Sequence, residues 1–158
     1  VFILDVDGVM TTGQFFYTKN GKFGKIFGPD DHDALSLIKE FIEVRFITGD
    51  KKGFDISKRR IVKDMKFRLD LVSTVKRVDW IKKKYKLEET IYMGDGIMDI
   101  PVMEKVGFAV AVNDAHPLIK KLAHYTTLLP GGFGAVRELT DLLMLENGKP
   151  LTSDGTSA

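Results

Sequence analysis

Asp5 and Asp7 stand two residues apart at the end of the run VFILDV, just before Gly8. In an extended segment, positions i and i+2 emerge on the same side, so the two carboxylates project together where the strand stops. Such a pair is costly unless something binds between them. A second acidic pair, Asp95 and Asp99, lies in GDGIMD after another apolar run, and a third run ends in Thr48-Gly49. Carboxylates from separate strands suit a hard cation such as Mg²⁺, which takes oxygen ligands and keeps several waters. A hydroxyl, the ammonium of Lys76 and loop N–H groups beside that cation suit a phosphoryl group, whose transfer is speeded chiefly by positioning and charge neutralisation.

These residues meet only if the strands that carry them lie side by side. Apolar runs at 1–6, 44–48, 67–72, 90–94, 108–112 and 124–129 alternate with helical spacing over 31–43, 53–65, 75–86, 97–106, 115–122 and 134–145. The alternation predicts an α/β fold, a Rossmann-like parallel sheet with helices on both faces, built from right-handed βαβ units. In such a sheet ligands bind at the carboxyl ends of the strands, where the acids stand. One insertion follows the first strand: the stretch 14–27 reads as a β-hairpin turning at Asn20-Gly21, with Phe15, Phe16, Tyr17, Phe23 and Phe27. A two-stranded hairpin with so much aromatic surface is expected to pack on another subunit, the alternative being that it folds back on its own domain.

The 158 residues, 44% hydrophobic and 29% charged, suit one domain, expected over 1–146, with a polar tail over 147–158. No run is long and apolar enough to span a bilayer, no signal peptide is visible and there is no cysteine, so disulfides and thiolate chemistry are excluded and a cytoplasmic setting is expected. Opening on Val1 and not Met, the sequence is expected to belong to a longer chain. Residues 51–86 hold 14 of the 24 Lys and Arg against Asp55, Asp64, Asp70 and Asp79. Without interleaved aromatics or a binding motif, that segment reads as a solvated face that steers an anionic substrate, and no nucleic-acid or membrane partner is expected.

Taken in order, DVDGV, ITGD, Lys76 and GDGIMD resemble the four motifs of the haloacid dehalogenase superfamily of phosphotransferases. Three longer stretches, DVDGVMTTGQFFYTKNGKFGKIF, YMGDGIMDIPVMEKVGFAVAVNDAHPLIKKLAHYTT and GGFGAVRE, resemble its cap-less subfamily of phosphatases for 3-deoxy-manno-octulosonate 8-phosphate and for acylneuraminate 9-phosphates of sialic-acid pathways. The similarity runs from Val1 to about Leu145. It implies an Mg²⁺-dependent phosphatase acting on a phosphorylated sugar acid. Asp5 would be the nucleophile that forms an aspartyl-phosphate, and Asp7 the acid and then the base. Asp5, the Asp7 carbonyl and Asp95 would hold Mg²⁺, with Asp99 ordering its water shell. Thr48 and Gly49 would grip the phosphoryl oxygens, and Lys76 would offset their charge; it is preferred to Arg77 because the site calls for a compact point charge.

Singly, each of these residues has a plainer reading, as a turn, a cap or a solvated lysine. Three places depart from the subfamily: Gly96 follows Asp95 where a second Asp is common, Asp50 stands after Thr48-Gly49 where a basic residue is expected, and GPDDHDA replaces an Arg-Asp-Gly-like segment. The last makes Asp31 and His32 substrate candidates and favours a nonulosonate 9-phosphate, although the acids there would also suit a helix N-terminus. The three histidines, His32, His116 and His124, lack metal-ligand spacing. In the subfamily the hairpin builds a homotetramer, and a glycine-rich carboxy-terminal segment like PGGFGAVRE reaches a neighbouring site, so Arg137 is a further candidate for the substrate carboxylate. Two rivals are a non-catalytic phosphatase-like oligomerisation domain of a CMP-sugar-acid synthetase and a phosphoacceptor receiver domain. Retention of both Asp5 and Asp7 argues against the first, and DVDGV against the second, whose phosphorylated Asp lies on a later strand with no acid two residues on.

Overall fold

A computed structural model describes residues 1–153. Strand β1 (Phe2–Asp5) is buried along its whole length, which requires cover on both faces of the sheet and explains its unbroken apolar run. It pairs in parallel with β4 (Val44–Thr48) on one side and β6 (Ile91–Gly94) on the other. Beyond these lie β5 (Arg68–Leu71), β7 (Phe108–Ala111) and β8 (Tyr125–Thr126), giving a six-stranded parallel sheet in the order β5-β4-β1-β6-β7-β8. The chain builds outward from β1 through β4 to β5 and then returns to the other side of β1, so the topological switch point falls at β1.

The helices pack in two groups, α1 (Asp30–Ile38) with α6 (Ala135–Glu146), and α3 (Arg77–Lys82), α4 (Ile100–Met103) and α5 (Pro117–Leu122) in series. α2 (Phe54–Lys58) widens into a π-helical turn over Arg59–Asp64. The hairpin is β2 (Thr11–Thr18) and β3 (Gly21–Phe27), an antiparallel pair separate from the main sheet, and it begins three residues earlier than the sequence suggests.

Most elements are shorter than expected, and three of them show why. α1 stops at Ile38, whose carbonyl accepts from both Phe41 and Ile42 as the chain turns into β4. β8 stops at Thr126 because Glu138 takes the N–H groups of Leu128 and Leu129 and draws the chain off the sheet. The helix expected from 75 begins as a 3₁₀ turn, Thr74–Lys76, before α3 starts at Arg77. Of the polar tail, residues 154–158 lie outside the described residues.

Candidate active site

β1 delivers Asp5 at its last position, and the Val6 N–H bonds back to Asp5 Oδ1 at 2.8 Å. The chain then turns tightly: the Val6 carbonyl accepts from Met10 and Thr11, and Thr11 Oγ1 accepts from the Gly8 and Gly13 N–H groups. Gly8 has φ +85°, and a Cβ there would lie 2.0 Å from Asp95 Oδ2. Only glycine therefore lets the turn after Asp5 approach Asp95.

Asp5, Asp7, Gly49, Asp50, Ser73, Thr74 and Arg77 line a cleft of about 250 Å³. That is smaller than the roughly 300–1,000 Å³ that encloses a whole organic ligand, so the cleft suits a phosphoryl group whose carrier lies outside it. Thr48 donates to Asp7 Oδ2 at 3.2 Å and accepts from the Asp50 N–H at 3.1 Å. Ser73 and Thr74, which the sequence reading passed over, border the same space.

Arg77 forks onto Asp5, with Nη1 2.9 Å from Oδ2 and Nη2 3.1 Å from Oδ1. Nη1 also donates to Asp99 Oδ1 and, at 2.7 Å, to the Tyr92 hydroxyl, which in turn donates to Asp99 Oδ1 at 2.6 Å. Asp99 Oδ2 accepts from the Asp95 and Gly96 N–H groups at 3.2 and 3.1 Å. Arg77 is thus buried between two carboxylates that keep it protonated against the cost of burial.

Lys76 is not brought to the carboxylates. Its side chain is exposed and borders a separate groove with Asp79, Trp80 and Lys83. The correction follows from the 3₁₀ turn, after which Arg77, and not its neighbour, shares the inward face of α3 with buried Ile81. That i, i+4 relation was readable in advance, since residues so spaced lie on one face. A bidentate fork also suits a carboxylate better than a point charge does.

Asp5, Asp95 and Asp99 place carboxylate oxygens within 4.8 Å of one another. Burial, joined by the charges of Asp5, Asp99 and Asp114, pushes the Asp95 carboxyl up to about 8. Burial likewise raises Asp5 to about 6 despite Arg77. No donor among the described residues reaches the Asp95 carboxylate, whereas both oxygens of Asp99 are occupied. A divalent cation held by Asp5 and Asp95, with Asp99 behind them, fits this charge excess and this oxygen donor set.

The remaining candidates lie elsewhere. Asp31 is buried and accepts from the Arg137 N–H at 2.8 Å, so it caps the amino end of α6 and does not line the cleft. Arg137 turns its guanidinium to Asp141 and the Leu151 carbonyl. His32 is half-buried, its pKa lowered by burial and by Arg60, and its neighbours are Asp33, Lys39 and Asp64 and not the catalytic cleft.

Two hairpin lysines reach the site, and the sequence reading made neither a site candidate. Lys25 Nζ lies 2.7 Å from Asp7 Oδ1 and 2.9 Å from Asp50 Oδ2, and Lys22 Nζ lies 2.6 Å from Asp50 Oδ2. Against the cost of burial, these two cations hold the Asp50 carboxyl down at about 2. Asp50, an acid where a base was expected, was the available signal that a cation would come from elsewhere.

Residues 24–130 match the haloacid dehalogenase-like hydrolase family. Over 99% of its length the chain is 38% identical to a 3-deoxy-D-manno-octulosonate 8-phosphate phosphatase of Salmonella typhi, covering 85% of that protein. The crystal structure of the corresponding phosphatase from Yersinia pestis superposes with a TM-score of 0.77 at 36% identity, over 94% of this chain and 82% of that one. The Moraxella catarrhalis phosphatase, solved with a magnesium ion, a phosphate ion and a KDO molecule, superposes at 0.77 with 27% identity, over 91% and 84% of the two chains.

Proposed function

The chain belongs to the haloacid dehalogenase-like hydrolases and is a phosphoric monoester hydrolase, and we propose that it releases phosphate from a phosphorylated sugar acid by way of an aspartyl-phosphate on Asp5. The observation that carries this reading is the meeting of Asp5, Asp7, Gly49 and Arg77 around one small cleft, with Thr48 bonded to Asp7 behind it. An Asp5 oxygen attacks phosphorus as the bond to the sugar oxygen breaks, and Asp7 gives its proton to that leaving oxygen. Asp7 then takes a proton from water, whose oxygen attacks the phosphoryl group and returns Asp5 to a carboxylate. Thr48 and the Gly49 N–H hold the phosphoryl oxygens, and Arg77 fixes the plane of the Asp5 carboxylate. Mg²⁺, held by Asp5, the Asp7 carbonyl and Asp95, would neutralise charge that develops on the phosphoryl oxygens.

The substrate we favour is 3-deoxy-manno-octulosonate 8-phosphate, the ester named for the relatives. A nonulosonate 9-phosphate is second, because the departure at 28–34 is in part architectural: Asp31 serves α6. The working unit we infer is a homotetramer, in line with the exposed aromatics of the hairpin, and the setting is cytoplasmic. No helix among the described residues is long and apolar enough to cross a membrane.

Phosphate release from octulosonate 8-phosphate and acylneuraminate 9-phosphate, with and without Mg²⁺, tests the proposal against Asp5→Asn. Release that needs Mg²⁺ and vanishes in Asp5→Asn is expected. Silence of the folded wild type on both esters would favour the oligomerisation-domain reading instead.

A further inference from the structure

The carboxylate of Asp7 is gripped from two sides. Thr48 donates to Oδ2 at 3.2 Å, and Lys25 Nζ stands 2.7 Å from Oδ1. Lys25 comes from β3 of the hairpin, and its side chain is wholly shielded from solvent. Its ammonium has three acceptors around it: Asp7 Oδ1, Asp50 Oδ2 at 2.9 Å and Ser57 Oγ at 2.8 Å. It donates to Ser57 Oγ and is ion-paired with the two carboxylates. With its side chain closed off from solvent, this lysine acts on the groups that surround it.

Asp50 fixes that lysine. One of its oxygens accepts from the Gly53 N–H at 3.1 Å, which ties it to the start of α2, while the other takes Lys22 and Lys25. A buried ammonium is costly unless it is paired, and Asp50 is the partner that makes the burial of Lys25 tolerable. The acid after Thr48-Gly49 and the base on β3 therefore form one unit.

We infer that Lys25 is a positioning residue: braced by Asp50, it holds the Asp7 carboxylate facing the scissile bond, so that the hairpin governs proton transfer to and from the substrate. The inference rests on the proposed role of Asp7 as acid and base. It makes the hairpin part of the catalytic apparatus as well as a surface for other chains.

The test compares two leaving groups. Octulosonate 8-phosphate releases an alkoxide that needs the proton from Asp7, whereas p-nitrophenyl phosphate releases a phenolate that does not. In Lys25→Met, turnover of the sugar ester should fall on the order of 10²-fold, the lower end of what a placed acid–base group contributes. KM for that ester and single-turnover release of p-nitrophenolate should both stay within about threefold of wild type. Asp50→Asn, which keeps Lys25, should show the same split at smaller size, and the double variant should be no worse than Lys25→Met, since the two act as one unit. Equal losses on the two esters, or wild-type rates on both, would overturn the inference. Asp5→Asn measured alongside separates the two failures. If it still turns over, the aspartyl-phosphate reading is wrong; if it is inactive while Lys25→Met is unaffected, only the role of Lys25 is.

Discussion

Arg77 binds both oxygens of Asp5 at 2.9 and 3.1 Å across 72 residues of sequence, and with the same Nη1 it reaches Asp99. One guanidinium thereby orients the proposed nucleophile and ties β1 to the segment that follows β6.

Arg77→Met should lower turnover by on the order of 10²–10³-fold, as loss of one preorganised charge at a reacting centre does. It should also destabilise the fold by about 3–5 kcal/mol, because Asp5 and Asp99 would be left buried without their cation. Lys76→Ala, at an exposed position, should change turnover by less than about twofold and stability by less than about 0.5 kcal/mol. Steady-state rates and denaturant melts of the two variants, side by side, decide which basic residue serves the site.

Asp31 gives a pH-dependent prediction. Burial raises its carboxyl to about 6 from the ordinary 3.8, although the Arg137 N–H works the other way. The folded chain therefore binds this proton more tightly than the unfolded chain does. The favourable contribution is complete below about pH 4 and is lost as pH rises through 6, by up to about 3 kcal/mol. Asp31→Asn stays neutral throughout, so its melting temperature should exceed that of wild type above pH 6 and match it near pH 4. Thermal melts across pH 4–8 check this, and a variant less stable than wild type at pH 8 would contradict it.

Phe16 and Phe23 meet edge to face at 5.9 Å on the hairpin, 49% and 66% exposed. If this surface joins subunits, Phe16→Ser with Phe23→Ser should move the sedimentation coefficient from tetramer toward monomer. Because neither ring belongs to the core cluster, the unfolding free energy per chain in the monomer should stay within roughly 1 kcal/mol. An unchanged sedimentation coefficient would remove the hairpin from the assembly surface.

What could be read in advance depended on how local the deciding contacts are. β1 and β4 declare themselves because a strand buried on both faces is a continuous apolar run, and β4 runs from Val44 to Thr48, matching the sequence reading. Asp5, Asp7, Thr48, Asp95 and Asp99 could be grouped because parallel sheets collect strand ends at one edge. The choice between Lys76 and Arg77 turned on helical phase, and the 3₁₀ turn at Thr74–Lys76 set that phase. Asp31 was misread because its partner, the Arg137 N–H, lies 106 residues away on a helix whose docking no local pattern encodes. Lys25 was missed for a similar reason: hairpin composition predicts a hairpin, and its seat over Asp7 and Asp50 is purely tertiary.

The central place of β1, between β4 and β6, has a kinetic consequence. Asp5, Thr48 and Asp95 are neighbours only after two long chain segments have closed on either side of the first strand, and such non-local parallel pairings form slowly compared with helices. Helical signal should thus return early on refolding, with hydrolysis returning only once both closures are made. A chain cut between β5 and β6 would own Asp5 and Thr48 but not Asp95, so, on the metal-holding role proposed for Asp95, a fragment emerging from a ribosome should act on substrate only after β6 and the segment behind it have arrived.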